Sequence, residues 1–260
     1  MKKIIFLILF INHITYSQNK GLIHYGFIEG LTDEGQKGLD YNAYMIFNNN
    51  ESYYVTAKDS LEKIEKIYSQ KINTRNDYRG GTIYTGLKSS KLGDQVVCNI
   101  QKKTMWSNYF YKKHVYIKEP NPIIKWKITN EIKKIGNLKC KKAIAFFRGR
   151  NYIAWFSSEI MVPFGPWKLN GLPGLIIEAY DTNKNVYWYF KTIEYPSKTK
   201  QNIKYLSLPK GSYFIDYDGF KEFQKDQITI ASDKLKIVQK KFPEIILVDP
   251  KISEMFIEIE

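Results

Sequence analysis

Between Glu159 and Asp181 the chain holds its densest run of turn-formers, and an apolar run begins before that stretch ends. Gly165-Pro166, Asn170-Gly171 and Pro173-Gly174 all fall inside it. Proline fixes φ near −65° and glycine accepts positive φ, so Leu172-Pro173-Gly174-Leu175 is expected to form a type II turn with Pro173 second and Gly174 third. The backbone reverses there, which excludes a continuous helix. Leu175-Ile176-Ile177 then reads as a strand buried on both faces, and Glu178-Ala179-Tyr180-Asp181 carries it out to a polar turn.

Around this corner the chain reads as strands. Gly21 to Gly30, Asn42 to Phe47 and Ser52 to Ala57 form an antiparallel start, with a polar loop at Asp33 to Gly38. Further strands are expected at Val96 to Gln101, Met105 to Tyr111, Val115 to Lys118, Ile124 to Ile128, Lys141 to Phe147, Tyr152 to Phe156, Leu175 to Tyr180, Val186 to Ile193 and Ile203 to Leu206. Their short connections favour an antiparallel meander over a parallel sheet. The segment Tyr187-Trp188-Tyr189-Phe190 is aromatic on both faces, so it has to be covered twice or line a groove.

Two stretches change period. Leu61, Ile64 and Tyr68 recur at helical spacing behind Asp59-Ser60. A longer helix is expected from Asp218, as N-cap, to about Lys241, with Phe220, Phe223, Ile230, Leu235, Val238 and Phe242 as its apolar positions and Pro243 ending it. Residues 71–94 lack periodicity and read as a mobile connection. The fold class is therefore β-rich α+β: one large, mostly antiparallel sheet with one or two packed helices. Its strand order resembles the curved half-barrel of periplasmic lipoprotein-carrier proteins.

Lys2-Lys3, the apolar run Ile4 to Ile11 and Thr15-Tyr16-Ser17 have the form of a secretory signal peptide cleaved after Ser17. The expected organisation is a leader at 1–17, one domain over 18–250 and a tail or edge strand at 251–260. No later segment has the ~20 apolar residues of a transmembrane helix, so the mature chain is expected in the periplasm or secreted. Formal net charge is +14, with 20 tyrosines and 15 phenylalanines. Export argues against a nucleic-acid partner for that basic, aromatic composition. Lysines scattered over solvated strand faces explain the charge more simply than a surface for anionic lipid or polysaccharide does.

The central hexapeptide Gly171-Leu172-Pro173-Gly174-Leu175-Ile176 resembles the signature of the GLPGLI family of secreted Bacteroidetes-type proteins. The likeness extends through Trp126-Lys127-Ile128, Ile135 to Ala143, Gly149-Arg150, Ala154-Trp155-Phe156, Glu159-Ile160 and Gly165-Pro166-Trp167, roughly a third of the chain. Met161-Val162-Pro163 departs from the Pro-Ile that commonly follows Glu-Ile in that pattern. The resemblance brings no reaction and no cofactor with it.

Catalytic constellations are sparse. After the leader, His24 and His114 are the remaining histidines, too few for a histidine-rich metal centre, and no Gly-x-Ser-x-Gly elbow occurs. Glu159, Glu178 and Asp181 flank the signature and could serve a hydrolase, although Glu178 and Asp181 fall on opposite strand faces. Arg150 lies among Trp155, Phe164 and Trp167, where a charge needs a partner; a partly buried contact to a carboxylate such as Glu159 stands beside the alternative of a solvated hairpin arginine. Cys98 and Cys140 either form a disulfide closing a loop of about 40 residues or remain buried thiols. The expected function is a non-catalytic envelope protein binding an apolar ligand or an envelope or outer-membrane protein partner through a groove near Gly171 to Ile176. Arg150, Trp155, Glu159, Trp167, Pro173 and Trp188 are its candidate contacts, and an exported carboxylate hydrolase is the alternative.

Overall fold

The computed structural model describes residues 20–31, 39–56, 93–111, 113–200, 203, 210–244 and 247–259. The expected leader, the polar loop at 33–38, the helix from Leu61, residues 71–92 of the connection and all but Ile203 of the strand at 203–206 lie outside the described residues.

Among the described residues twelve strands form one sheet: β1 (Gly21–Glu29), β2 (Leu39–Phe47), β3 (Glu51–Thr56), β4 (Gln95–Asn99), β5 (Thr104–Tyr111), β6 (Lys113–Pro120), β7 (Lys127–Ile135), β8 (Leu138–Phe147), β9 (Arg150–Ser157), β10 (Leu175–Asp181), β11 (Val186–Glu194) and β12 (Phe214–Ile215). Among the described residues two helices follow, α1 (Tyr217–Lys241) and α2 (Ile252–Met255). The sheet order is β12-β6-β5-β4-β3-β2-β1-β11-β10-β9-β8-β7. Every pairing is antiparallel except β12 with β6. No helix among the described residues is long and apolar enough to cross a membrane.

Alternation decides which face is covered. Ile23, Tyr25 and Phe27 of β1 share a face with Ala43 and Met45 of β2 and with Trp188 of β11, and all are buried in the main core. The sheet bends strongly around that face. Arg148, in the β8–β9 turn, hydrogen-bonds Glu119 on β6. In a flat sheet β6 and β9 would stand roughly 38 Å apart at ~4.8 Å per strand. Side chains bridge them only because the sheet curls into an open half-barrel.

Several local expectations change. The strand expected at 124–128 begins instead at Lys127; Ile124 is buried in the irregular lead-in. Lys127–Ile135 is an edge strand, exposed along most of its length, so no apolar alternation marks it. The proline-glycine corner is not a type II turn. The Gly174 amide donates to the Leu172 carbonyl at 2.8 Å, while the Leu175 amide donates to Ile160 at 2.9 Å. Gly174 has φ +154°, and a Cβ there would lie 2.3 Å from the Ser157 carbonyl oxygen, so only glycine fits so tight a passage.

Asp216, rather than Asp218, caps α1, accepting from the Gly219 amide at 2.8 Å. Asp218 sits in the first turn and pairs with Lys221 at 2.7 Å. Only the start of α1 packs firmly: Phe220 is buried, with Phe223 beside it, against Tyr109 and Phe256. Ile230, Ile237 and Val238 are exposed. The C-terminal segment neither hangs free nor adds a strand. It forms α2 and then runs along the concave side, burying Phe256 and Glu258. Cys98 and Cys140 are free, buried thiols on β4 and β8, with β3, β2, β1, β11, β10 and β9 between their strands.

Candidate functional site

The loop between β9 and β10 is tied down at several points. Ile176 donates its amide to Phe164 at 2.9 Å, Gly171 to Pro163 at 3.0 Å, and the Trp126 indole to the Asn170 carbonyl at 2.8 Å. Closing the loop this way forces Trp167 to φ +55° and turns Trp167 and Lys168 toward the concave side. Trp167 stacks on Trp188 at 5.8 Å between centroids, and Trp188 stacks on Phe27 at 5.1 Å. Offset aromatic stacks of this kind add to the stabilisation from burial alone. The Trp188 indole N–H donates to the Tyr54 hydroxyl at 2.9 Å, so the most buried ring of the stack has its polar atom satisfied.

Beside the stack lies a cavity of about 50 Å³. Its lining combines aromatic rings, Phe27, Trp167, Trp188, Phe220 and Phe256 among them, with polar side chains, of which Glu29, Tyr54, Thr56, Asp94 and Glu258 are five. Asp94 is placed by a reciprocal clasp: its amide donates to Thr56 Oγ1 at 2.8 Å, and its carbonyl accepts from the Thr56 amide at 3.1 Å. Phe256, Ile257 and Glu258 of the C-terminal segment close another side.

The charges around this cavity do not balance. Lys168, almost wholly buried, bridges Glu119 at 2.8 Å and Glu258 at 2.6 Å. Arg148 pairs with Glu119, sits 3.6 Å from Glu258 and lies over the Tyr217 ring at 3.1 Å. Arg150 pairs with Asp181 at 3.0 Å. Three cations thus answer Glu119, Glu258 and Asp181, while Glu29 and Asp94 make no ion pair among the described residues. Burial raises the Glu29 carboxyl to about 7, helped by the charge of Asp94 and opposed by Arg150. Burial likewise raises Asp94 to about 6. The Tyr54 hydroxyl is held well above its ordinary range by burial, with Asp94 and Glu29 adding to the effect against the Trp188 hydrogen bond.

Of the residues expected from sequence, Trp167 and Trp188 meet in the cavity wall. Arg150 is buried and carboxylate-paired, but its partner is Asp181, not Glu159. Its remaining donors hold the C-terminal segment: Nε to Ile257 O at 2.8 Å, Nη2 to Ser253 O at 2.9 Å and to Phe256 O at 3.1 Å. Trp155 is buried elsewhere, with Lys133 Nζ 4.3 Å from its ring centroid. Glu159 is exposed and accepts from the Lys139 amide at 2.8 Å, and Pro173 is exposed. Glu178 pairs with Lys133 at 2.7 Å. None of Glu159, Glu178 and Asp181 lines the cavity. Trp167 and Lys168 of this loop line the cavity, and no residue from Gly171 to Ile176 does.

Sequence reasoning missed Glu29 and Asp94. A signal existed for Glu29, which continues the Tyr25, Phe27 alternation onto the covered face. Asp94 lay in a stretch without periodicity. A larger, more open cavity of about 360 Å³ lies between β6, β12 and α1, but its carboxylates Glu222 and Asp226 are exposed helix residues.

No family model matches the chain, and no curated protein does. Among solved structures the chain is similar to PNGF-II in two crystal forms. The P21 form has a TM-score of 0.48 at 16% identity, covering 78% of this chain and 32% of that chain. The C2 form has a TM-score of 0.46 at 16% identity, covering 78% of this chain and 31% of that chain. This chain therefore spans about a third of the length of PNGF-II.

Proposed function

We propose that the chain is an exported, non-catalytic envelope protein of the GLPGLI type that binds a small ligand in the concave cavity beside Trp167 and Trp188. The observation that carries this reading is the pairing of a preformed aromatic stack with an adjoining cavity whose polar wall is incompletely neutralised. Pockets of this make-up, mostly apolar with a few convergent polar groups, are the usual form of ligand sites. A protein partner could reach the same ligand-bearing face, but the small cavity favours a compact group.

Tryptophan fluorescence and thermal-shift titrations against small amines, carboxylates, sugars and fatty acids test the reading. One class should bind saturably and lose binding in Trp167→Ala. If every class is silent in both readouts, ligand binding has no support.

One observation favours a second reading, an exported hydrolase. Glu29 at about 7 and Asp94 at about 6 are poised so that one carboxyl can hold a proton while the other is charged. The carboxylates would then be these two, not those flanking the signature. Turnover of chromogenic esters or glycosides abolished by Glu29→Gln and by Asp94→Asn would decide for it.

A further inference from the structure

We infer that the cavity ligand is a small organic cation, an ammonium or methylated ammonium group, held by Glu29, Asp94 and Glu258 in the cavity that Trp167 and Trp188 help to line. The inference rests on the ligand-binding reading above and names its ligand class.

Charge is the first ground. The chain as a whole carries +14, yet among the described residues Glu29 and Asp94 make no ion pair, Arg148, Arg150 and Lys168 being paired with Glu119, Asp181 and Glu258. Glu29 and Asp94 are half-buried, and a charge partly withdrawn from water without a partner is unfavourable, so a positive group between them would be stabilising. The raised Glu29 and Asp94 carboxyls report the same deficit.

A second ground is independent of those two acids. Glu258 lines the same cavity and is 5% exposed, and its Oε2 makes no hydrogen bond; Arg148 Nε stands 3.6 Å away within the ion-pair network. An ammonium N–H in the cavity would give that oxygen a donor. Aromatic lining is the third ground: Phe27, Trp167, Trp188, Phe220 and Phe256 withhold water from the cavity, so a carboxylate–ammonium pair inside it is screened far less than one at the surface. Glu29, Asp94 and Glu258 all line the cavity, but among the described residues no group of three or more His, Cys, Asp or Glu converges as metal ligands, which suits an organic cation better than a metal ion that takes several oxygens. Size sets the limit: about 50 Å³ admits a head group of a few heavy atoms.

The test is calorimetric titration of the full chain with methylammonium and tetramethylammonium chloride at constant ionic strength, against tert-butanol as neutral isostere, acetate as anion, and sodium and calcium chloride. A cationic probe should bind saturably, at least about tenfold more tightly than tert-butanol. The double variant Glu29→Gln/Asp94→Asn should lose about tenfold or more of that affinity while keeping its fold, read by circular dichroism. Saturable binding of tert-butanol, acetate or an inorganic cation that disappears in Trp167→Ala would overturn the ligand class and leave the ligand-binding reading standing. Cation binding that survives the double variant would overturn the assignment to these carboxylates. Silence of both ammonium probes would overturn the ligand class, and the ligand-binding reading would fall with it only if the sugar and fatty-acid titrations were silent as well.

Discussion

Arg150→Ala should detach the C-terminal segment from the half-barrel. Arg150 is 6% exposed and donates to Asp181 and to the carbonyls of Ser253, Phe256 and Ile257. Its removal leaves the buried Asp181 carboxylate with the Val186 amide, at 3.1 Å on Oδ1, as its one hydrogen-bond donor among the described residues. Breaking a buried pair in this way typically costs about 3–5 kcal/mol. For a domain of this size each kcal/mol corresponds to roughly 2–4 °C, so Tm should fall by about 6–20 °C. Arg150→Lys keeps a charge for Asp181 but lacks the planar fork that reaches three carbonyls, and should fall in between. Scanning calorimetry gives the shift, and hydrogen exchange gives its location. The Ile259 amide, bonded to Arg148 O at 3.1 Å, and the Phe256 amide, bonded to Ile252 O at 3.0 Å, should lose protection before the strands do. A Tm within about 2 °C of the parent, with both amides still protected, would refute the clamp.

Other expectations follow from the same geometry. Glu29 has its folded-state carboxyl raised from 4.5 to about 7 and Asp94 from 3.8 to about 6, so the folded chain holds protons that the unfolded chain has released. Stability contributed by this pair is present at acid pH and falls as pH rises from about 4 to 7. The Glu29→Gln/Asp94→Asn variant should therefore show a flatter Tm-versus-pH curve and a higher Tm at pH 8; parallel curves would contradict the burial of these charges. Gly174→Ala forces a Cβ to 2.3 Å from Ser157 O, whereas Gly171, at φ +91°, has nothing within 4 Å of an added Cβ. Urea midpoints should drop far more for Gly174→Ala than for Gly171→Ala, whose strain is of order 1–3 kcal/mol, and equal losses would mean that the corner is not sterically closed. Burial pushes the Cys98 thiol up to about 12 and the Cys140 thiol up to about 11. Both should resist a thiol reagent in the native chain and react in guanidinium, and a disulfide-linked peptide in a digest of the native chain would refute free thiols.

Strands with one covered face were legible because their alternation is strong: Ile23, Tyr25 and Phe27 in β1 show it plainly. β7 was misplaced because Lys127–Ile135 has solvent on most sides and no apolar period to read. The length of α1 was legible from its apolar spacing and from Pro243, but only its start packs, and nothing local distinguishes Phe220 from Ile230. The tail was illegible for another reason. Its position is fixed by Arg150, more than a hundred residues earlier, bonding backbone carbonyls that have no side-chain signature. The site divides the same way. Its aromatic half was visible in Trp167 and Trp188, while its acidic half comes from Glu29 and Asp94, brought together by pairings across β1, β2, β3 and β4.

The hexapeptide matters less for its own atoms than for what it holds. Gly174 lets the loop close on Ser157, and closure fixes Trp167 against Trp188 and drives Lys168 into the interior. A buried lysine needs carboxylates, and Glu119 and Glu258 supply them from β6 and from the tail. The tail reaches that position because Arg150 grips its carbonyls, and with Glu258 it brings Phe256 and Ile257 into the cavity wall. Turn, lysine, tail and pocket are therefore one coupled assembly. Two substitutions within it, such as Lys168→Met and Glu258→Gln, should be markedly non-additive, because either change alone already breaks the 2.6 Å pair that the two residues share.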